Sequence, residues 1–334
     1  MNTNIMLINL QLFAYDPQAQ PVNNTGASAL SAEMKTFYDM TLIDEATANL
    51  VHDQFGQKRP IPKNGGKTIE FRKFAPLAKA TTPLTEGVTP DGKSLSVSTI
   101  TATVAQYGDF ITQSDVLELT SLDNTILEAT KLLGRQAGAT LDTIVRDVLQ
   151  GCPNVTYCPK PDGTAITSRT TLTNDCQLTV KVIQQVVAKL RGQNAPTIGG
   201  KYVAIIHPYV AYDLMRDPEW IDAHKYANPT NLYEGEIGEV AGVRFVQTTE
   251  AKVYDGGVFG TLIFGEGAYG VTEITGGGLE TIVKQKGSAG TADPLDQRSS
   301  VGWKAIKTAE LLIPNYIVRV ESKSAAFSAT TSAN

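Results

Sequence analysis

The chain has 334 residues, of which 42% are hydrophobic and 19% charged, with a net charge of −5 and three cysteines. That length suggests about two subdomains at ~150 residues each, with enough apolar material for a sizeable core. The acidic balance argues against a dedicated nucleic-acid binder, no run approaches the ~20 apolar residues of a membrane span, and an odd set of cysteines without CxxC spacing argues against a disulfide framework.

Residues 5–13 are apolar, but no basic residue precedes them and Asn9 and Gln11 interrupt them, so they do not read as a secretory signal. Residues 31–55 follow as an extended amino segment with one amphipathic stretch, carrying Glu33, Asp39, Asp44, Glu45 and Asp53. Residues 56–113 are the most informative part of the chain. Two runs with period-two alternation, 67–74 and 95–107, predict half-buried strands. Between them lies a Pro/Gly/Thr-rich tip with almost nothing to bury. A long two-stranded arm is marginal alone in water and needs something to lie on, most economically another copy of the same protein. The arm is basic, with Lys58, Arg59, Lys63, Lys67, Arg72, Lys73, Lys79 and Lys93 against Glu70, Glu86 and Asp91. A basic arm beside an acidic segment fits complementary contact surfaces; a solvated charged hairpin is the plainer alternative. Gly56, Pro60, Pro62, Gly65 and Gly66 at its base suit a hinge.

Asp115 and Glu118 have capping-box spacing. Apolar residues at three- and four-residue steps then predict a long amphipathic helix over 122–150, stopped by Gly151 and Pro153. Gly134 and Gly138 in its middle cost helix stability, roughly 1 kcal/mol each, which implies close approach of another backbone, such as a crossing sheet. Cys152 and Cys158 could bridge a short loop, although reduced structural thiols fit better. Asn174 or Asp175 is placed to cap a helix that Gly192 stops. Residues 202–206 read as a buried strand, Pro208 as the first turn of a short helix ended by Asp217-Pro218, and 220–236 as a loop. Strands follow at 240–246 and 261–264. Residues 311–321 read as one final strand whose Pro314 favours an edge or a bulge. The tail after Ser322 is small, polar and expected to be disordered.

Two near-motifs fail on context. Asn64-Gly65-Gly66-Lys67-Thr68 ends like a phosphate loop but lacks the first glycine, since Ile61 stands there, and is followed by a strand. Gly265-Glu266-Gly267-Ala268-Tyr269-Gly270 matches a dinucleotide fingerprint, yet strand and turn residues follow where a helix is required, so a glycine-rich hairpin is expected. His52, His207 and His224 have no metal-ligand spacing. No catalytic, cofactor or metal residues emerge.

The order of parts, with Met40-Thr41-Leu42-Ile43, residues 50–56, the Gly65–Phe74 strand, residues 84–90, Gly235-Glu236-Ile237-Gly238, Gly242-Val243-Arg244-Phe245-Val246, Gly302-Trp303-Lys304 and Ala309, resembles the major capsid protein of tailed bacteriophages, the Hong Kong ninety-seven fold. More narrowly it resembles the coliphage N-four-like subgroup. The resemblance implies an α+β fold: an N-terminal arm (1–56), an extended β-hairpin loop (57–96), a peripheral domain with a long spine helix (97–163 and 294–322), an axial α/β domain (164–293) and a flexible tail (323–334). It implies a non-enzymatic shell protein of the virion, assembled in the host bacterial cytoplasm, whose partners are itself in hexamers and pentamers, a separate scaffolding protein, a portal, a decoration protein and nonspecifically held double-stranded DNA, with no membrane and no cofactor. Lys63, Lys67, Arg72, Lys73, Lys79 and Lys93 would make intersubunit contacts, and Gly56, Pro60, Pro62, Gly65 and Gly66 would form the hinge. A cellular nanocompartment shell of encapsulin type, or a dinucleotide-binding enzyme built on Gly265–Gly270, are the alternatives.

Overall fold

The computed structural model describes residues 50–74, 77–84, 86–89, 92–120, 125–225, 238–286, 288 and 293–334, together with Leu42, Ile43, Glu45 and Ala46. In chain order they form β1 (Gln57–Lys58), β2 (Thr68–Phe74), β3 (Val97–Thr103), β4 (Ala105–Ser114), α1 (Asp115–Thr120), α2 (Thr125–Gln150), β5 (Val155–Tyr157), α3 (Val180–Gly192), β6 (Tyr202–Ile206), α4 (Pro208–Met215), α5 (Pro218–Lys225), β7 (Glu239–Val240), β8 (Val243–Gln247), β9 (Val253–Tyr254), β10 (Val258–Phe264), β11 (Tyr269–Glu273), β12 (Glu280–Lys284), β13 (Arg298–Leu311) and β14 (Ile317–Lys323).

Two sheets make the body. In the first, the long β13 pairs with β4 along one edge, from Arg298↔Ser114 to Lys307↔Ala105, and with β12 and then β11 along the other. β1 adds a parallel edge to β11. The stripe Leu133, Ala137 and Leu141 of α2 lies on this sheet against Val301, Trp303 and Ala305, the apolar face that its periodicity demands. The second sheet runs β5-β14-β10-β6-β8-β7, with β9 also on β10. All seven residues of β10 are buried, so it reads as a continuous apolar run. The last turns of α2, through Val145 and Leu149, fill the space between the sheets with Leu262, Phe264, Tyr269 and Ala309.

Sheet membership does not follow chain order. β11 and β12 join β13 and β4 rather than the strands around 202–264, and β14 joins β10 rather than β4. The expected single strand over 311–321 is two: β13 ends at Leu311, Pro314–Tyr316 form a 3-10 turn, and β14 begins at Ile317 in the other sheet. Pro314, with no N–H to give a ladder, marks the crossover. Gly265–Gly270 is likewise a crossover between sheets, not a hairpin, because β10 and β11 do not pair. A Cβ on Gly265 would lie 2.2 Å from the Pro196 carbonyl, so close approach explains this glycine.

The glycines of α2 are explained by a helix rather than a sheet. Helical residues Leu42 and Ala46 cross there, and a Cβ on Gly134 or Gly138 would meet the Leu42 or Ala46 carbonyl oxygen at 2.8 or 2.4 Å. The cap of α1 is Ser114, whose Oγ accepts the Leu117 N–H at 3.3 Å, one residue before the expected Asp115. Neither Asn174 nor Asp175 caps α3; its first N–H, on Val180, donates to Asp217 Oδ2 at 2.9 Å, while Asp217 Oδ1 accepts from Glu219 at the start of α5. One carboxylate thus serves two helix N-termini, where the backbone dipoles favour negative charge. Trp220, expected in a loop, is buried in α5 beside Phe245. Residues 226–237, with Gly235, Glu236 and Ile237, lie outside the described residues, as do Met40 and Thr41.

The tail is not free. Ser324 and Ser328 are buried, Phe327 stacks on Tyr209 at 4.2 Å, and the Asn334 side chain accepts the Val253 N–H. Small residues here allow close packing: a Cβ on Gly257 would lie 2.0 Å from the Ser328 carbonyl oxygen. Cys152, Cys158 and Cys176 are free and buried, and burial raises the Cys158 thiol far above its ordinary value.

Candidate assembly surfaces

The arm is an antiparallel pair, β2 with β3, in register from Thr68↔Thr103 to Phe74↔Val97. Its alternation divides two faces. Ile69, Phe71, Ile100 and Ala102 face the body, where Phe71 and Ala102 are buried against Leu312 and Ile313. The base of the arm is therefore ordered by its own chain, contrary to the expectation that neighbours do most of this. The tip is different. Phe74, Leu77, Leu84, Val88 and Leu95 are exposed, Leu84 at 77%, and the ladder ends at the Phe74↔Val97 pair.

Part of the expected hinge region packs on the body. A Cβ on Gly56 would lie 2.6 Å from the Tyr269 ring. Past Pro60, Ile61 is buried and exchanges backbone hydrogen bonds with Glu273 and Thr275. Pro62, Gly65 and Gly66 lie in a turn closed by the Gly65 N–H on the Pro62 carbonyl at 2.9 Å, with Asn64 at φ 68° and Gly66 at φ 89°.

Lys63, Lys67, Arg72, Lys79 and Lys93 are exposed and Lys73 is half-buried. Lys93 donates to the Ala78 carbonyl at 3.2 Å and so ties the two limbs of the tip. Among the described residues none of the six makes an ion pair. Of the acidic segment, Glu45 pairs with Arg135 at 2.9 Å and Asp53 with Lys307 at 2.9 Å and Lys58 at 3.4 Å, all within the chain. Those two carboxylates are committed at home; Glu33, Asp39 and Asp44 lie outside the described residues.

Two further apolar surfaces escaped the sequence reading. Phe110 is 67% exposed on the sheet face opposite α2, in one cross-strand row with Gly302 and Ile282. Val116, Leu117 and Leu119 project from the short α1. Apolar residues out of phase with a core stripe were the available signal.

Two sheets bridged by a long helix, with a projecting hairpin and uncovered apolar side chains, define the Hong Kong ninety-seven class of shell protein. Solved structures share this fold. The capsid of cyanophage P-SCSP1u superposes with a TM-score of 0.65 at 14% identity, covering 82% of this chain and 88% of that one. The cyanophage Pam1 capsid gives 0.65 at 13%, covering 84% and 92%. A virus-like particle from Pyrococcus furiosus gives 0.51 at 11%, covering 86% and 99%. No curated protein sequence matches. A family model described as phage capsid protein matches residues 97–311, and the chain belongs to that family. It is a major capsid protein that assembles with copies of itself into a shell.

Proposed function

We propose that this shell is the icosahedral head of a tailed phage, built in the host bacterial cytoplasm around nonspecifically held double-stranded DNA, with a separate scaffolding protein, a portal and a decoration protein as partners. The chain is assigned to the subgroup resembling coliphage N-four on its Gly65–Phe74 strand and its Gly-Val-Arg-Phe strand. The five-stranded sheet with α2 forms the peripheral domain, and the seven-stranded sheet forms the axial domain. The arm is the intersubunit strap: its tip lies on a neighbouring copy, Lys63, Lys67, Arg72, Lys73, Lys79 and Lys93 meet that neighbour's carboxylates, and Pro62, Gly65 and Gly66 flex.

The observation that carries this reading is the arm tip. It exposes five large apolar side chains, and the arm as a whole carries six cations, Lys79 and Lys93 of them on the tip, without ion pairs among the described residues. Apolar surface of that kind on a self-assembling protein marks a contact site, and many weak copies of one contact add through multivalency. Negative-stain microscopy of the purified protein is expected to reveal icosahedral particles, and deletion of residues 77–95 to abolish them. Particles filled with protein cargo and free of nucleic acid would favour a cellular nanocompartment instead.

A further inference from the structure

We propose that Phe71 is the positioning residue of the arm: seated in a socket over Gly270, its ring sets the direction in which the arm leaves the free subunit. This rests on the reading of the arm as an intersubunit strap.

The socket is built for the ring. Phe71 is 4% exposed, although its strand neighbours Glu70 and Arg72 are open to solvent. A Cβ on Gly270 would lie 2.9 Å from both Cε1 and Cζ of Phe71 and 3.3 Å from Leu312. Gly270 is not in the left-handed region, so it is glycine for space and not for backbone freedom. The last position of the would-be dinucleotide fingerprint thereby acquires a role. Leu312 and Ile313 wall the socket, and the Arg59 guanidinium sits 6.0 Å from the ring centroid.

On one limb the contact lies between a turn and the end of the ladder, while on the other only the buried Val104 separates β3 from β4. On the body side lies the 62–66 turn; on the far side the ladder stops at Phe74↔Val97. Phe71, Ala102 and Leu312 form a small cluster separate from the three larger cores. A small satellite contact between a rigid body and a lever opens at far lower cost than the body unfolds. While closed, it presents the tip in one direction, so less orientational freedom is lost when a neighbour is engaged.

The test uses the full-length chain held unassembled at low concentration, with spin labels at Thr99→Cys, exposed within the arm ladder, and Lys181→Cys on the body. The native cysteines are buried and do not compete for label. A single narrow distance distribution is expected for the parent. Phe71→Ala is expected to broaden it, Phe71→Leu to restore most of the narrowness, and Gly270→Ala to broaden it by expelling the ring. Thermal unfolding of the body by Phe71→Ala is expected within a few degrees of the parent, because the side chain lies outside the main cores. An unchanged distribution in Phe71→Ala overturns the proposal. Shell formation by the unlabelled parent, scored separately by microscopy, distinguishes failure of the capsid-strap reading from failure of the positioning role.

Discussion

Asp142 Oδ2 lies 2.6 Å from Nδ1 of His52, both side chains fully buried, and the other oxygen of the same carboxylate accepts the backbone N–H groups of Val51 and His52 at 2.9 and 2.7 Å. The Tyr269 hydroxyl donates to the His52 carbonyl at 2.5 Å, and burial raises that hydroxyl far above its ordinary value, keeping it a donor. One carboxylate of α2 thus clamps the segment that enters the arm. Asp142→Ala would leave three donors without an acceptor, the two of His52 fully buried and that of Val51 partly so, and a loss of about 3–5 kcal/mol is expected in urea unfolding. Asp142→Asn is expected to cost less, because its carbonyl still accepts from backbone and its amide can donate to a neutral ring nitrogen.

Gly138→Ala sets helix propensity against packing. Propensity alone would favour alanine by about 1 kcal/mol. The added methyl, however, would sit 2.4 Å from the Ala46 carbonyl oxygen. A net destabilisation of about 1–3 kcal/mol is expected, as for other overpacked sites. Gly192→Ala, at the open end of α3 with no neighbour within 4 Å, is the control and is expected to be neutral or slightly stabilising. Equal effects of the two substitutions in chemical denaturation would refute the crossing contact.

His207 caps α4, its Nδ1 accepting the Tyr209 N–H at 3.2 Å, and packs against Tyr209 and Phe259. Burial lowers its pKa from 6.5 to about 4. As pH falls through 6.5 the unfolded chain takes up a proton that the folded chain refuses, so stability drops between pH 6.5 and about 4 and levels off below. The loss attributable to this ring is about 1–3 kcal/mol. His207→Asn, which keeps a capping oxygen but cannot titrate, is expected to flatten that part of a stability-against-pH curve.

Arg72→Glu with Lys73→Glu separates assembly from folding. Neither residue has an ion pair among the described residues, so unfolding of the free subunit is expected to move by less than about 0.5 kcal/mol. Particle yield is expected to fall, and the salt sensitivity of assembly to change, since exposed charge contacts are screened within ~10 Å at 0.1 M salt. Unchanged yield and salt response would remove the arm cations from the contact.

Much of the local structure was legible because it rests on short-range rules. The alternation of Ile69, Phe71, Ile100 and Ala102, the helical stripe of Leu133, Ala137 and Leu141, and Pro208 at a first turn each follow from the period of one element. The reasons for the glycines at the base of the arm were only half legible. Gly56 and Gly66 look alike in sequence, yet one is glycine because the Tyr269 ring lies against it and the other because its φ is 89°. The same limit applied to Gly265–Gly270, to the tail, and to the caps of α3, which depend on residues distant in the chain.

By itself the sequence determined the elements, their faces, the basic tip with little to bury, and a resemblance that placed the chain among phage shell proteins, since periodicity and turn chemistry act over a few residues. Only the tertiary structure decided which sheet each strand joined, that the helical residues Leu42 and Ala46 and not a sheet press on Gly134 and Gly138, and that Phe71 docks the arm on its own body over Gly270. Those facts depend on contacts between residues some 90 to 200 positions apart, and no local pattern encodes which distant backbone will come close.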